Sequence, residues 1–355
     1  MIDKNICNKV LTIGPAFTPP NGGIAQVMDY YNQFVFTEFH FVANSCPGSK
    51  LKKLWCAISA VFKTIFILIF SNSVEIVHIH TASKISFKRS VIFEKIGLAF
   101  KKKVVMHIHA GSFMDYYGTC PEYVAKNLKK CTKVIALTEG WKSRFENEIG
   151  LTNVEVINNI VPVPQDALDK ADEDPIVHGI FLGAIKWQKG IFDLLDVIAD
   201  NKQFLQGKFM LHIGGNEQVD LLKEKIETQK LSDIVKYEGW VNDKQKTDLL
   251  QQSKIMFLPS YIEGLPICIL EAMSYGLCII SSNVGGIPDI VKNEENGFTF
   301  EPGDKAKLCS SLLFFVENPD RIAPFGQKSR ELVKDYFPEN VSSQINSFYV
   351  KLLNE

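Results

Sequence analysis

Residues 255–271 read IMFLPSYIEGLPICILE, a short apolar run followed by a polar loop and an apolar helical pattern. The run Ile255–Leu258 predicts a buried strand. Pro266 predicts the first position of the next helix, because the amide that proline lacks would be unpaired there. A strand that leads through a short loop into a helix is the building unit of parallel α/β sheets. The segment therefore predicts an α/β fold with a helix N-terminus beyond a strand end.

The same alternation of strand and helix continues on both sides of this segment, and prolines and charges interrupt it at 164–175. Two doubly wound Rossmann-like domains that face a central cleft are therefore predicted. The predicted parts are an N-terminal domain 1–163, a linker 164–175, a C-terminal domain 176–335 and a helix 336–355 that crosses back to the N-terminal domain. The predicted strands are Val10–Ile13, Glu75–His80, Lys103–His109, Lys133–Leu137, Val154–Ile157, His178–Leu182, Phe209–Ile213, Val235–Tyr237, Ile255–Leu258, Cys278–Ile280 and Gly297–Phe300.

Charge is distributed unevenly along the 355 residues, although the net charge is only −1. Residues 1–165 carry 19 Lys and Arg against 11 Asp and Glu, and the remainder carries 20 against 29. The small net charge argues against a dedicated nucleic-acid binder. The basic half indicates contact with an anionic group such as a phosphate or a lipid head group. Solvated surface lysines are the alternative.

Cysteine usage indicates a cytoplasmic protein. The eight cysteines are scattered and form no CxxC pair, which is typical of reduced thiols packed as small apolar groups. The opening Met1-Ile2-Asp3-Lys4 lacks the order of charged and apolar residues found in a signal peptide.

Residues 54–70 form a long apolar stretch, LWCAISAVFKTIFILIF. It is short for a membrane span of roughly 20 residues, and Lys63 would lie near the middle of such a span. A buried core helix is the favoured interpretation. A helix that lies on a membrane monolayer and a true span remain as alternatives.

The loop between the strand and the helix at 263–271 carries polar groups suited to a hydroxyl-rich ligand. Residues 264–267 would present helix N-terminal amides, which bind phosphate or sugar hydroxyls. Glu263 and Glu271 offer acceptor-only carboxylates to vicinal hydroxyl groups. A helix cap with a solvated glutamate is the alternative that spacing leaves open.

Residues 259–273, PSYIEGLPICILEAM, resemble the Glu-x7-Glu signature of glycosyltransferase family 4, whose members are retaining enzymes of the GT-B fold. Further segments follow in the order found in that family: Gly276, Gly285-Gly286-Ile287-Pro288-Asp289 and Asn296-Gly297. Upstream, the stretch from Phe181-Leu182-Gly183 to Lys189-Gly190 resembles the first loop of the family's nucleotide-binding domain.

The resemblance implies a role for each matching residue. Glu271 would hold the ribose of a nucleoside-diphosphate sugar, and Glu263 a hydroxyl of the donor sugar. Lys189 would neutralise the departing diphosphate in place of a metal ion. His109 resembles the family's histidine near the reacting sugar. The donor would also be lined by the following glycines and amides: Gly22, Gly23, Gly183, Gly264, Leu265 and Ile267.

One position departs from the family pattern, because Ala184 stands where the family usually carries an arginine after the glycine of the first loop. Lys186 lies two residues further on and is predicted to supply the missing cation. Weaker stabilisation of the diphosphate is the alternative.

The N-terminal half also carries His78/His80 and His107/His109. On a strand, residues i and i+2 share a face, so each pair would point the same way. Histidines that end parallel strands at the cleft, with one of them touching substrate, are the favoured interpretation. Zinc ligation is the minor alternative, because no Cys or carboxylate spacing accompanies them. Residues 83–89 (SKISFKR) would meet an anionic acceptor or form a solvated loop.

We therefore expect a cytoplasmic retaining hexosyltransferase of surface-polysaccharide biosynthesis. Its partners would be a nucleotide-sugar donor and a saccharide or polyprenyl-diphosphate-linked acceptor, with peripheral contact to the inner membrane face. No cofactor, metal ion or nucleic acid is expected. A GT-B-fold sugar-nucleotide epimerase and a non-catalytic nucleotide-sugar-binding protein are the alternatives.

Overall fold

The computed structural model describes residues 1–18, 22–164, 174–241 and 243–355, and it divides into two compact units. The first unit comprises Met1–Pro162 and Tyr336–Glu355, and the second comprises Val163–Asp335. Most of the predicted linker, 165–173, lies outside the described residues. Each unit contains one parallel sheet of six strands. The predicted α/β class with two doubly wound sheets is thereby confirmed.

The sheet of the first unit has the order β2-β1-β3-β4-β5-β6. The direction in which successive strands are added to the sheet reverses between β1 and β3. These two strands pair in parallel, with Leu11 opposite Val77. The apolar side chains of these strands are almost fully buried, because helices cover both faces of the sheet. The strands are β1 (Val10–Pro15), β2 (Phe41–Ser45), β3 (Ile76–Thr81), β4 (Lys103–Ile108), β5 (Lys133–Ala136) and β6 (Val154–Val156).

The helices of the first unit include one that comes from the far end of the chain. This C-terminal helix begins at Pro338 and packs with residues near the chain start. Thr138 caps α7 at its N-terminus, and Gly150 ends it in the left-handed conformation. The helices are α1 (Lys4–Cys7), α2 (Gly23–Tyr30), α3 (Lys50–Phe70), α4 (Ile85–Ala99), α5 (Phe113–Thr119), α6 (Pro121–Leu128), α7 (Glu139–Ile149) and, after the second unit, α16 (Pro338–Asn354).

The sheet of the second unit has the order β12-β11-β10-β7-β8-β9, and its connection reverses between β7 and β10. Position 179, in the centre of β7, requires a glycine. A Cβ there would lie 2.6 Å from the ring of Phe257 and 2.9 Å from that of Phe209. The glycine thus makes room for two buried aromatic rings. The strands are β7 (Val177–Leu182), β8 (Phe209–Gly214), β9 (Val235–Gly239), β10 (Ile255–Leu258), β11 (Cys278–Ser282) and β12 (Gly297–Phe300).

The helices of the second unit follow its strands in alternation. A single turn of 3-10 helix, Trp187–Lys189, precedes the first of them. Asp304 caps α14 by accepting a bond from the amide of Lys307 at 2.9 Å. The helices are α8 (Ile191–Asp200), α9 (Lys202–Leu205), α10 (Val219–Thr228), α11 (Asp243–Gln252), α12 (Ile267–Ser274), α13 (Ile287–Ile290), α14 (Lys305–Glu317) and α15 (Ile322–Leu332).

The strand β2 was not expected from the sequence. It lies at an edge of the sheet, and only Val42 and Asn44 among its five residues are buried. A polar asparagine in one of the two buried positions removes the apolar signal that marks the other strands.

The apolar stretch 54–70 belongs to the 21-residue helix α3, and the expectation that it is a buried core helix is wrong. Only Ala60, Thr64 and Leu68 are buried, whereas Trp55 and Phe62 are each 69% exposed. By length and composition alone, α3 could cross a membrane, with a mean hydropathy of 1.9 over its most apolar window. Its buried side nevertheless packs on β2 and α4, so α3 is an integral element of the first unit.

Candidate functional site

In open α/β sheets, ligands bind beyond the carboxyl ends of the strands where the strand order reverses. In the second unit this point lies between β7 and β10, which pair with Ile255 opposite Gly179. The loops that leave these two strands are 183–190 and 259–266. They contain most of the residues that the sequence singled out for donor binding.

The loop after β10 leads directly into α12, as the sequence predicts, but Pro266 is the residue before the helix rather than its first residue. Its extended backbone, with ψ of 119°, makes it the N-cap. Ile267 is thus the first helical residue, and the first amides of a helix lack intrahelical acceptors. The helix N-terminus therefore begins one residue later than predicted.

Close contacts with neighbouring loops hold the 263–266 segment in place. The amide of Gly286 donates to the carbonyl of Gly264 at 2.6 Å. Gly285 has a φ of +60°, and a Cβ there would lie 1.9 Å from the carbonyl oxygen of Glu263. A side chain at position 285 would therefore displace the loop. The side chains of Leu265 and Ile267 are buried, so any contact of these residues with a ligand would come from their backbone.

Glu263 lies at the centre of a small polar cluster. Its carboxylate is 8% exposed and accepts bonds from Lys189 Nζ at 2.6 Å and from Ser260 Oγ at 2.7 Å. Burial by itself would lower the pKa of the Lys189 ammonium, but the facing carboxylate of Glu263 outweighs that effect and raises it. The predicted residues Lys189 and Glu263 are thus in direct contact, and Lys189 is charged at neutral pH.

Lys189 ends the 3-10 turn, and the glycine after it is fixed by packing. Gly190 has a φ of +68°, and a Cβ there would lie 1.9 Å from the carbonyl oxygen of Pro259. The amide of Tyr261 also donates to the carbonyl of Gln188 at 2.8 Å. The loops after β7 and β10 are therefore joined through their backbones, which brings Lys189 to Glu263.

Glu271 has a partner that sequence reasoning missed. Lys246 Nζ, on α11, lies 2.8 Å from Glu271 Oε1, and the glutamate side chain is 10% exposed. Burial would lower the pKa of Lys246, but the Glu271 carboxylate raises it overall. A lysine within a polar helix carries no sequence signal that links it to a glutamate 25 residues away. Only the tertiary structure, which brings Lys246 of α11 to Glu271 of α12, makes the pair.

Lys186 and Gly183 lie at the start of the loop after β7. Lys186 Nζ is 3.7 Å from Glu217 Oε1, in the loop after β8, and its side chain is 32% exposed. The amide of Gly183 donates to the carbonyl of Gly214 at 3.0 Å. Lys186 therefore lies at the start of the loop and forms a weak ion pair with Glu217. An anionic ligand could take the place of Glu217 as the partner of this lysine.

Taken together, the strand ends of the second unit combine three lysines with three glutamates around a helix N-terminus. The carboxylates can accept hydrogen bonds from hydroxyl groups, and the ammonium groups can neutralise phosphate oxygens. Each lysine is paired with one of these glutamates, and Lys246 Nζ also lies 3.8 Å from Asp243 Oδ1. Such an arrangement suits a ligand that carries both hydroxyl and phosphate groups.

The remaining predicted residues belong to the first unit. Gly22 has a φ of +92° and is the residue before α2, which begins at Gly23. Both glycines are exposed, and a Cβ on either would meet open space, so neither is required by packing. Asn21, which precedes them, lies outside the described residues. An exposed glycine turn at the start of a helix permits close approach of a ligand to the backbone.

His109 follows β4 directly and joins a stack of four histidines. Its Nε2 lies 2.9 Å from His80 Nδ1, and its ring stacks on His107 with centroids 4.2 Å apart. His80 stacks on His78 at 4.3 Å. The predicted pairing of i and i+2 histidines on one face of each strand is therefore found, and adjacent strands unite the two pairs.

The C-terminal helix closes this stack from the side. Tyr349 of α16 forms a hydrogen bond with His78 Nδ1 at 2.5 Å, and Tyr31 contacts His80 edge to face with centroids 5.6 Å apart. Burial lowers the pKa of His78 and of His109 to about 3, and it lowers the pKa of His80 and His107 well below the ordinary value. All four rings are therefore neutral at physiological pH.

Three of the four histidines lie close enough together to be considered as metal ligands. Nitrogens of His78, His80 and His107 lie within 4.8 Å of one another. Zinc ligands need lone pairs that meet at one centre about 2.0–2.1 Å away. Zinc ligation therefore stays the minor alternative that the sequence leaves open.

The stack predicts acid-sensitive stability. The folded-state pKa values lie below the unfolded value of 6.5, so stability is fully present above about pH 6.5 and is lost as the pH falls below it. Each neutral histidine contributes up to about 1.4 kcal/mol per pH unit to that loss. Melting temperatures of the His107→Leu variant should fall less steeply between about pH 7 and pH 5 than those of the parent. His107 is chosen because neither of its ring nitrogens has a hydrogen-bond partner among the described residues.

The exposed residue His40 gives the control. His40→Asn should keep the parent's pH dependence, and equal slopes for the parent and the His107→Leu variant would contradict a protonation-resistant stack.

Comparison with known proteins agrees with the geometry of the second unit. Residues 165–332 match the family model described as glycosyl transferases group 1. The match spans nearly the whole second unit, including both loops of the candidate site. The second unit is thus similar to a group 1 glycosyltransferase domain.

Relatives with this similarity come from several bacteria. An uncharacterized glycosyltransferase of Haemophilus influenzae is 27% identical over 225 residues, which cover 63% of this chain and 62% of that protein. An uncharacterized 41.2 kDa protein in the cps region of Klebsiella pneumoniae is 25% identical, with 92% of this chain and 95% of that protein covered. The lipopolysaccharide 1,6-galactosyltransferase of Escherichia coli is 28% identical over 209 residues, which cover 56% of this chain and 54% of that protein. The chain thus spans less than two thirds of the first and third of these relatives.

Among solved structures, that of Anabaena Alr3699/HepE in complex with UDP has a TM-score of 0.76 at 16% identity. The superposition covers 97% of the present chain and 100% of the Anabaena chain. The fold of this protein is therefore that of the GT-B glycosyltransferases.

Proposed function

We propose that this protein is a retaining glycosyltransferase. It moves a hexose-type sugar from a nucleoside-diphosphate sugar to a saccharide or a polyprenyl-diphosphate-linked saccharide on the cytoplasmic side of the membrane. The observation that carries the proposal is the contact of Lys189 with Glu263, at 2.6 Å, beside the N-terminus of α12 and between two strand ends. The lysine and the glutamate lie in the loops after β7 and β10, and the second of these loops leads into α12.

In the proposed reaction the bond between the anomeric carbon and the diphosphate oxygen breaks, and a bond from that carbon to the acceptor oxygen forms on the same face. The acceptor's proton passes to the departing diphosphate, which serves as the base. Lys189 and Lys186 stabilise the negative charge that develops on the leaving group. No metal ion is required for this role in the proposal.

Each remaining residue of the site has a binding role in the proposal. Glu271 accepts hydrogen bonds from the ribose, and Glu263 from a hydroxyl of the transferred sugar. The backbones at Gly183, Gly264, Leu265 and Ile267 line the donor, and Lys246 pairs with Glu271 at 2.8 Å. For the first unit, the proposal keeps the roles that the family resemblance implies, namely donor contact by Gly22 and Gly23 and contact of the reacting sugar by His109.

The surface-polysaccharide pathway is supported by the relatives, which include a protein encoded in a cps region and a lipopolysaccharide galactosyltransferase. The identity of the sugar and the base is open to direct measurement. A panel of UDP-, GDP- and ADP-sugars should raise the melting temperature selectively for one base, because ligand binding to the native state stabilises it by mass action.

Donor turnover in the presence of a bacterial membrane lipid extract tests the activity itself. Transfer of labelled sugar to a lipid or saccharide fraction is expected. Tight nucleotide binding without transfer to any acceptor would favour a binding protein. Epimerised or hydrolysed donor in the absence of acceptor would favour an epimerase, and either result would overturn the proposal.

Lys186 is predicted to replace the arginine that family 4 members carry at the position of Ala184. Lys186→Ala should lower kcat by roughly 10-fold or more while KM for the acceptor changes little, because the lysine acts on the leaving group. Lys186→Ala/Ala184→Arg should recover part of the loss. The matched control is Glu217→Ala, which removes the ion-pair partner of Lys186 and keeps the lysine. Intact activity in Lys186→Ala would show that the diphosphate is neutralised elsewhere.

A further inference from the structure

Helix α3 exposes its apolar side and buries its less bulky side. The buried residues Ala60, Thr64 and Leu68 recur every fourth position and pack on the first unit. The opposite side carries eight large apolar residues that are all exposed to solvent, which reverses the usual orientation of a surface helix. They are Leu51, Leu54, Trp55, Ile58, Phe62, Phe66, Ile69 and Phe70.

These side chains form one continuous stripe. Trp55, Phe62 and Phe66 follow at intervals of seven and four residues, so they share one side of the helix. They are 69%, 69% and 62% exposed, and Phe66 contacts Phe70 with ring centroids 4.6 Å apart. The neighbouring helix α4 adds Ile85 and Ile92, which are 77% and 47% exposed. A contiguous apolar surface of this kind marks an interaction site.

The part of the chain that carries the stripe is strongly basic. Residues 50–95 contain eight Lys and Arg and only two acidic residues. One of these, Glu75, pairs with Lys9, and the other, Glu94, is buried. Within the described residues, no ion pair neutralises the seven exposed lysines of this region, which are Lys50, Lys52, Lys53, Lys63, Lys84, Lys88 and Lys95.

We propose that this surface, the α3 face, binds an anionic lipid bilayer with α3 lying in the plane of the membrane. The aromatic and aliphatic side chains enter the monolayer, and the lysines contact acidic head groups. Trp and Phe on one side of a helix, with lysines beside them, are typical of such interfacial helices. The inference does not rest on the proposed function, because it concerns residues of the first unit alone.

Two other ways of covering the stripe fit the structure less well. A transmembrane orientation would require α3 to leave β2 and α4, and this would expose the core residues beneath Ala60 and Leu68. A second copy of the chain, docked about a two-fold axis, would bring two copies of this basic surface together. Like charges at close range oppose such an interface, whereas acidic lipids attract them.

Sedimentation with vesicles tests the proposal. The full chain should bind vesicles that contain phosphatidylglycerol and should bind much less to pure phosphatidylcholine, and added salt should weaken binding. The triple variant Trp55→Ser/Phe62→Ser/Phe66→Ser should lose at least about a hundredfold in partitioning, because three large apolar side chains no longer enter the monolayer. Leu221→Ser/Val350→Ser, which removes exposed apolar side chains elsewhere, should bind as the parent does.

Tryptophan fluorescence locates the contact. Emission should shift to shorter wavelength with anionic vesicles in the parent and not in Trp55→Phe, which keeps the apolar stripe. Lipids brominated near the head group should quench Trp55 more than lipids brominated at the chain ends, as expected for a helix in the membrane plane. Unchanged melting temperatures and unchanged nucleotide binding in the triple variant would show that its fold is intact.

Three results would overturn the proposal. One is equal sedimentation of the parent and the folded triple variant. A second is equal binding to neutral and anionic vesicles. The third is a parent dimer in light scattering that does not bind vesicles and that becomes monomeric in the triple variant, which would assign the stripe to a second copy.

Discussion

Replacement of Lys189 by alanine is expected to lower kcat by about 10²–10³-fold, the range observed when one preorganised charge-stabilising group is removed from an active site. Lys189 Nζ lies 2.6 Å from Glu263, and in the proposed reaction it meets the departing diphosphate. The donor's KM should change much less than kcat, because the charge that Lys189 stabilises develops during bond cleavage. Steady-state kinetics with saturating acceptor would give both constants.

The variant also leaves Glu263 with Ser260 as its remaining partner in the cluster, and this could reduce stability as well as activity. Lys189→Ala/Glu263→Gln removes the uncompensated charge, and its melting temperature beside that of Lys189→Ala shows how much stability the unpaired carboxylate costs. Lys305→Ala, which deletes an exposed lysine paired with Asp193 and Asp196, is the matched control and should keep full activity. A kcat for Lys189→Ala within about twofold of the parent would contradict the leaving-group role.

Loss of the Glu271 carboxylate is expected to raise the donor's KM by roughly 10- to 150-fold. The estimate corresponds to about 1.5–3 kcal/mol for hydrogen bonds to a charged acceptor. Glu271→Gln keeps the shape of the side chain and removes its charge, so it should lose less than Glu271→Ala. Isothermal titration with the nucleoside diphosphate and with the free phosphate would show whether the loss follows the ribose.

Because Lys246 lies 2.8 Å from Glu271, the single variants also leave a lysine without its partner. Lys246→Met alone measures the effect of that change. In Glu271→Ala/Lys246→Met, donor affinity should remain as low as in Glu271→Ala, since the ribose contact is absent in both. Donor binding restored to the parent's level in the double variant would assign the loss to the unpaired lysine instead.

Short-range patterns predicted most of the second unit. Ile255–Leu258 was predicted with its observed ends, because an uninterrupted apolar run marks a strand that is buried on both faces. The edge strand β2 was missed because the buried side chain of Asn44 breaks its apolar pattern. The start of α12 was placed one residue early, because Pro266 is compatible with both the cap and the first helical position.

Side-chain partners could not be predicted in the same way. No rule of spacing links Lys246 to Glu271 or Tyr349 to His78, since the two members of each pair lie on different elements. The exposure of α3 was also mispredicted, because a helix that is apolar on nearly all sides does not reveal which side the core covers. Burial is a property of the assembled unit and not of the helix.

By itself, the sequence determined the α/β class, the two sheets and the loop at 259–271 that ends in a helix, because these depend on local periodicity and on the backbone limits of glycine and proline. The tertiary structure decided which side chains meet. It pairs Lys189 with Glu263 and Glu271 with a lysine of another helix, and it unites four histidines in one neutral stack. It also decided that the apolar helix α3 turns its aromatic side toward solvent. Such contacts join residues that lie on different elements of one unit, so they exist only once the strands and helices of that unit have assembled.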